Sequence, residues 1–409
     1  MTEPHAAALG APASSRMRSL DGLRGLAALV VVFHHLSLTL APFSDVWIVP
    51  GATHPAVGSV YWWFTSTPAQ LFIAGPEAVL VFFVLSGFVV VQPALRNPEF
   101  DWIAYFPQRV ARLWLPVLGS VILAFVWILL TDQTAAKASS LWVAASSLPG
   151  LPWQQAVDGT DLLFGVPLIN NVLWSLRWEL LFSLMLPLFV VAVLVARRKW
   201  WVVLVGSFAG VVLGTYTGNG ALTFLPVFLV GSVLAVKLDD IRGWLARHSG
   251  SRWLLPGGAA VLLISLVLLD LHWTIWGVLG GAPRFQEPAK SLEFVGAFGL
   301  LVVAAFWLPA VRLLSTRVFQ WLGKISFSLY LVHVPIIIAI DSMFDRQYTA
   351  LRIVVSLACS IGVAVLFSRF VELPAHRLSR YLGAGSSGVI RRSLGARATE
   401  RARDRATSA

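Results

Sequence analysis

Charge is what this chain has least of. Only 12% of its 409 residues are Asp, Glu, Lys or Arg, against 57% hydrophobic. Soluble domains carry about 25% charged residues. That deficit excludes an ordinary soluble fold and points to an all-α, polytopic membrane protein. Cysteine is nearly absent as well. The single Cys359 excludes an intramolecular disulfide framework and any Cys-based metal site. It lies in an apolar run and reads as a small packing residue. No internal repeat is visible, no fused soluble catalytic domain is expected at either end, and no metal site is expected.

What is present fits a bilayer. Mean hydropathy is +0.76. The 18 tryptophans and 25 phenylalanines suit the membrane interface. The net charge of +11 is spread between apolar runs. It forms no single basic face, so a nucleic-acid partner is not expected, whereas membrane lipid is.

Ten apolar stretches are long enough to span, at roughly 20–40, 69–93, 112–131, 174–196, 200–217, 220–237, 254–271, 291–309, 322–341 and 349–371. The first holds charges and has no cleavage site after it, so it is not a signal peptide. With both termini on one side, Lys and Arg divide 22 to 4 in favour of that side. The positive-inside rule then makes both termini cytoplasmic. The chain divides into a short N-terminal segment 1–17, a membrane domain 18–378 and a basic tail 379–409, expected to be disordered. Two outer loops, about 41–68 and 132–173, are long enough to suggest function.

Ionisable residues inside spans are functional candidates by default. Arg24 and His35 are eleven residues apart, which leaves a rotation of only about 20° on a helix, so they share a face, with roughly 16 Å of axial rise between them. His34 points about 80° away from Arg24. Asp21 stands three residues before Arg24 and could pair with it. Glu77, Glu179 and His333 fall, with His35, in the outer half of their spans. Arg109 and Arg112 lie with Arg24 toward the inner side. Arginines suit phosphates, and a histidine beside a carboxylate suits general-base work on a hydroxyl. A donor with phosphates at one end and a reactive group in the membrane would join the two regions; acyl-coenzyme A has that shape. The bland alternatives are topological capping for the arginines and simple packing for the histidines.

Six fragments, in order, resemble the acyltransferase-3 family of integral-membrane acyl transferases. They are "RSLDGLRGLAALVVVFHH", "VFFVLSGF", "FPQRVARLWLP", "WSLRWELLF", "LGKISFSLYLVHVP" and "VELPAHR". The resemblance implies a ten-helix enzyme that moves an acyl group, often acetyl from acetyl-coenzyme A, to a hydroxyl. The acyl-coenzyme A would be a co-substrate, with no permanently bound cofactor. By motif match, Arg24 and His35 handle the acyl group; Glu179 or Glu77 would orient the imidazole and stabilise its charged form. Arg109 and Arg112 contact donor phosphates. His34, Ser86, Trp174, Tyr330 and His333 are candidates for substrate binding. Two departures stand out. Leu80 occupies a position that is acidic in many members, and Leu180–Ser183 replace a more polar run after the motif glutamate.

The expected acceptor is a cell-surface glycan or related carbohydrate, and the expected location is a bacterial plasma membrane. A homo-oligomer is compatible with such a chain. Acylation of a small secreted natural product such as a macrolide is the alternative within the same chemistry. A glycan or lipid transporter is the competing class, because buried His and Glu also serve proton relays; the lack of a duplicated half speaks against it.

Overall fold

A computed structural model describes residues 17–49, 55–135, 137–150, 152–279 and 288–388. No strand occurs among them. Helices are α1 (Arg18–Ser37), α2 (Ala41–Ile48), α3 (Val60–Ser66), α4 (Gly75–Arg96), α5 (Trp102–Leu130), α6 (Leu141–Ser146), α7 (Trp153–Thr160), α8 (Trp174–Leu184) and α9 (Leu186–Val195). Then follow α10 (Trp200–Thr217), α11 (Gly220–Arg247), α12 (Leu254–Leu279), α13 (Glu293–Phe306), α14 (Leu308–Leu314), α15 (Arg317–Met343) and α16 (Thr349–Phe367). Among the described residues nine helices are long and apolar enough to cross a membrane, or ten if α8 and α9 count as one bent span. The protein is a multi-pass membrane protein.

The predicted fourth span is two helices bent by 62°. Pro187, at the start of α9, lacks the N–H that would continue the ladder. α5 begins about ten residues earlier than its apolar run, because Asp101 caps it, accepting from the Ala104 N–H at 3.0 Å. Both long loops contain short helices, α2 and α3 in one and α6 and α7 in the other. The tail expectation needs correction at its start. After a π-turn over Ser368–Glu372 the helix runs on to residue 388; residues 389–409 lie outside the described residues, as do 1–16. Cys359 is exposed on α16 rather than packed inside.

α15 is the axis of the bundle, buried without a break from Ser328 to Asp341. It lies against α1 at backbone distance. A Cβ on Gly25 would sit 2.5 Å from the Gly323 nitrogen, and one on Gly323 would sit 2.3 Å from the Asp21 carbonyl oxygen. α4 and α11 meet in the same way. A Cβ on Gly87 would fall 1.9 Å from the Phe228 oxygen, and one on Gly231 2.0 Å from the Val84 oxygen. Ser232 Oγ adds a 3.1 Å hydrogen bond to the Gly87 carbonyl. Small residues allow such contact, and packing rather than hydrophobic exclusion drives association in lipid.

α15 also contains Pro335, which cannot donate to the carbonyl of Leu331. Asn170 Nδ2 donates to that carbonyl at 2.8 Å. The segment preceding α8 is thereby tied to the middle of α15, next to His333.

Candidate active site

α1 and α15 bring two histidines together. His35 Nδ1 lies 3.1 Å from His333 Nε2, with ring centroids 5.0 Å apart. His333 Nδ1 is 2.9 Å from the Leu329 carbonyl oxygen, and His35 Nδ1 is 3.0 Å from that of Val31. A carbonyl only accepts, so in the neutral pair both Nδ1 atoms carry the proton. His333 Nε2 then accepts from His35 Nδ1–H. His35 Nε2 keeps its lone pair, and no hydrogen bond from a described residue reaches it. His333 is fully buried, while His35 is only half-buried. The arrangement is an oriented base with a second imidazole behind it.

His34 faces elsewhere, as its helical position predicts. Its Nδ1 donates to the Ile73 carbonyl at 2.9 Å, and its ring packs on Trp47 and tightly against Gly75. It fastens α1 to the start of α4. Trp142 of α6 also packs beside His35, with ring centroids 5.4 Å apart. The loop that carries Trp142 is pinned from several directions. Ser140 Oγ donates to the Leu38 carbonyl at 2.7 Å, and Trp142 N–H donates to Ser44 Oγ at 2.8 Å. Ser139 gives its N–H and its hydroxyl to Asp341, at 3.1 and 2.6 Å. Asp341 is paired in turn with Arg352 at 3.1 Å, both side chains almost wholly buried.

A cavity of about 1010 Å³ lies beside the histidine pair, and neither His35 nor His333 is among the residues that line it. Val79, Ser175 and Tyr330 line it, and the Tyr330 ring packs beside His333, three residues on along α15, with centroids 6.1 Å apart. Apolar side chains, Phe82, Phe83 and Leu176 among them, form part of the lining. Six cationic side chains line it: Arg24, Arg96, Arg109, Arg112, Arg242 and Lys324. Arg24 donates from Nε to Ser326 Oγ and from Nη2 to the Gly323 carbonyl, both at 2.9 Å. These bonds join α1 to α15 a second time, about 16 Å of helix rise from His35. Arg109 is ion-paired with Glu179 and donates from Nε to Ser183 Oγ at 2.9 Å. Ser86 donates to the same carboxylate at 3.1 Å. Arg112 makes no hydrogen bond or ion pair among the described residues, and its charge stands at the cavity wall.

The chain matches the acyltransferase-3 model, described as "Acyltransferase domain", over residues 17–369. It belongs to the acyltransferase-3 family. It is 27% identical over 388 residues to the O-acetyltransferase PaAT-1 of Phomopsis amygdali, covering 81% of this chain and 74% of that protein. It is 23% identical over 388 residues to a putative O-acetyltransferase of Staphylococcus aureus, covering 88% of this chain and 57% of that one. The peptidoglycan O-acetyltransferase OatA of Listeria monocytogenes is also 23% identical, over 403 residues, with 88% and 56% covered. The chain therefore spans little more than half the length of these bacterial relatives. No solved structure matches it. Family membership makes this protein an acyltransferase and sets the transporter reading aside.

The structure of this acyltransferase corrects one feature of the expected site. Neither Glu179 nor Glu77 orients His35. Glu179 sits on the cavity wall with Arg109. Glu77 accepts from Trp273 Nε1 at 2.8 Å and is buried against α12. The partner of His35 is His333, expected only as a substrate contact. Trp174 does not line the cavity; it is 38% exposed and packs on Phe224. Ser86 and Tyr330 do line it, and so do Arg24, Arg109 and Arg112, brought together from α1 and α5. Arg96, Arg242 and Lys324 line it as well; in the sequence, basic residues near the ends of spans are accounted for by topology alone. Among the described residues no cluster of three or more His, Cys, Asp or Glu could hold a metal ion.

Proposed function

We propose that the protein is a membrane O-acetyltransferase that takes acetyl from acetyl-coenzyme A and places it on a hydroxyl of a cell-surface glycan, in a bacterial plasma membrane with both termini cytoplasmic. One observation carries the reading: the separation between the histidine pair and the arginines. The pantetheine arm has about thirteen bonds from sulfur to phosphorus, and a peptide gains 3.3–3.6 Å for each three bonds, so the arm extends roughly 15 Å. That matches the roughly 16 Å of rise from Arg24 to His35. Phosphates at Arg24, Arg112 and the free edge of Arg109 put the thioester at the histidines.

The chemistry follows from the tautomers. His35 Nε2 takes the acceptor's hydroxyl proton as the oxygen attacks the thioester carbonyl. The C–O bond forms, the C–S bond breaks, and the thiolate leaves with the proton returned from His35. The imidazolium formed in between keeps its Nδ1–H on His333 Nε2, which steadies its charge. The glycan reaches His35 from the side of the two long loops. The relatives are named O-acetyltransferases, and the Listeria protein a peptidoglycan O-acetyltransferase, which supports acetyl as the group transferred and a glycan as the acceptor.

The test is free-thiol release from acetyl-coenzyme A by purified protein, with a pool of surface glycans as acceptor, for wild type and His35→Ala. Acceptor-dependent release is expected from the wild type alone. Equal release from both would remove His35 from the chemistry. Labelled acetyl appearing only on acceptors supplied at the cytoplasmic face would overturn the direction of approach.

A further inference from the structure

We infer that Arg96 and Arg242 form a second phosphate subsite at the cavity mouth, one that reads the ribose phosphate of the donor nucleotide. The inference rests on the coenzyme A reading and names the part of that donor which these residues distinguish.

Three observations lead there. First, depth. α4 and α11 are fixed in register where Ser232 Oγ meets the Gly87 carbonyl. From that contact Arg96 is nine residues along α4 and Arg242 ten along α11, about 14 and 15 Å of rise in the same direction. The two arginines therefore stand at one level. Ser86, bonded to Glu179 beside Arg109, lies ten residues back from Arg96, so this level is well beyond the first arginine group. Second, placement. Arg18, Arg247 and Arg317 also cluster at helix ends on this side, but none lines the cavity, whereas Arg96 and Arg242 do. Topology accounts for charge at a helix end; it does not account for two helices aiming theirs into one cavity. Third, availability. Arg96 has no hydrogen bond or ion pair among the described residues. The salt bridge of Arg242 is to Asp239 at 3.9 Å, with the Asp239 side chain 93% exposed. Such a contact is worth little.

Coenzyme A carries phosphate in two places, the diphosphate and the ribose 3′-phosphate, about six bonds and roughly 7 Å apart. With the diphosphate at Arg24, Arg109 and Arg112, the chain of the ligand continues toward the mouth. Long guanidinium arms from Arg96 and Arg242 reach inward to meet it, and forked donors suit a phosphate dianion. An anionic lipid headgroup would offer the same phosphate chemistry to the same arginines, so the experiment must tell the two sources apart.

The full-length protein is placed in nanodiscs of zwitterionic lipid alone, and in matched discs containing phosphatidylglycerol. KM is measured for acetyl-coenzyme A and for acetyl-3′-dephospho-coenzyme A, with wild type, Arg96→Gln, Arg242→Gln and the double variant. Wild type is expected to favour the 3′-phosphorylated donor by about tenfold, the scale of one charge-assisted hydrogen bond. The variants are expected to raise KM for that donor by a similar factor and to leave the dephosphorylated donor within about twofold, in both lipids. A variant that merely misfolds would lose both donors together, and the single variants guard against that outcome in the double. Equal KM for the two donors in wild type overturns the subsite while leaving the coenzyme A reading intact. So does a variant effect confined to the discs with phosphatidylglycerol. Failure of wild type to use either donor overturns the coenzyme A reading itself.

Discussion

His35 and His333 come from helices 298 residues apart in sequence and meet at 3.1 Å, nitrogen to nitrogen. The contact makes a specific prediction. In the proposed mechanism His35 takes the proton from substrate, and His333 holds that imidazole in place by accepting from its Nδ1–H. His333→Ala should lower kcat by roughly a hundredfold, within the range for losing general acid–base help. Donor binding should persist, because the arginines lie more than a helix turn away. His333→Gln, which retains a polar side chain, should recover part of the loss. Equal kcat for wild type and His333→Ala would show that His35 orients itself.

The pair of Arg109 and Glu179 predicts a different signature. Both side chains are mostly buried, 14% and 13% exposed. Removing one partner strands a charge in a poorly solvated site, at a cost of about 3 kcal/mol. Glu179→Gln should therefore lower the melting temperature and weaken catalysis together. The double change with Arg109→Gln should restore stability and leave activity low, because the donor has lost a cation. A thermal-shift series read beside thiol release separates the two effects. Restoration of both would make the pair purely structural.

How far the sequence led can be judged from these same residues. The helical class, the membrane and the shared face of Arg24 and His35 follow from composition and a 3.6-residue period, which are local properties. For the carboxylates the sequence offers only depth and a motif match. Depth puts Glu179 with His35 and Arg109 on the inner side, but α5 starts at Trp102 and carries Arg109 far enough into the bundle to pair with Glu179. His333 fell at the right depth, but its partner lies on a helix whose contact is set by Gly25 and Gly323. Close approach of backbones is a property of two surfaces, and neither surface announces the other. Arg96 and Arg242 were hidden by a general rule: basic residues at span ends need no special reason, and only the cavity supplies one.

Ser139 offers a test of the loop over the site. Its hydroxyl reaches Asp341 and also lies 2.8 Å from the Thr39 carbonyl, so it holds the approach to Trp142 against the end of α1. Ser139→Ala removes a hydrogen bond to a charged carboxylate, at a cost of about 1.5–3 kcal/mol, while Asp341 keeps Arg352 and the Ser139 N–H as partners. Trp142 should then cover His35 less well, and water should compete with the acceptor hydroxyl. Thiol release without acceptor should rise severalfold relative to acceptor-dependent release. An unchanged ratio, with Trp142→Ala equally silent, would show that this loop does not guard the site.

The glycine contacts predict where the fold itself breaks. Gly87 and Gly206 are both helical glycines in apolar spans, and sequence alone does not rank them. At Gly206 nothing lies within 4 Å of an added Cβ. Gly206→Ala should be neutral or stabilising by about 0.5–1 kcal/mol, since alanine favours helix. At Gly87 the same methyl would land 1.9 Å from the Phe228 carbonyl oxygen, a backbone atom that no rotamer can move aside. α4 and α11 would have to separate, and the Ser232 hydrogen bond to Gly87 would go with them. Gly87→Ala should lower the melting temperature in detergent by several degrees, and Gly87→Val should prevent accumulation of folded protein. Both helices also line the cavity, so surviving Gly87→Ala enzyme should show a raised KM for the donor. Matching melting curves for the Gly87 and Gly206 alanine variants would mean that α4 and α11 do not pack at backbone distance.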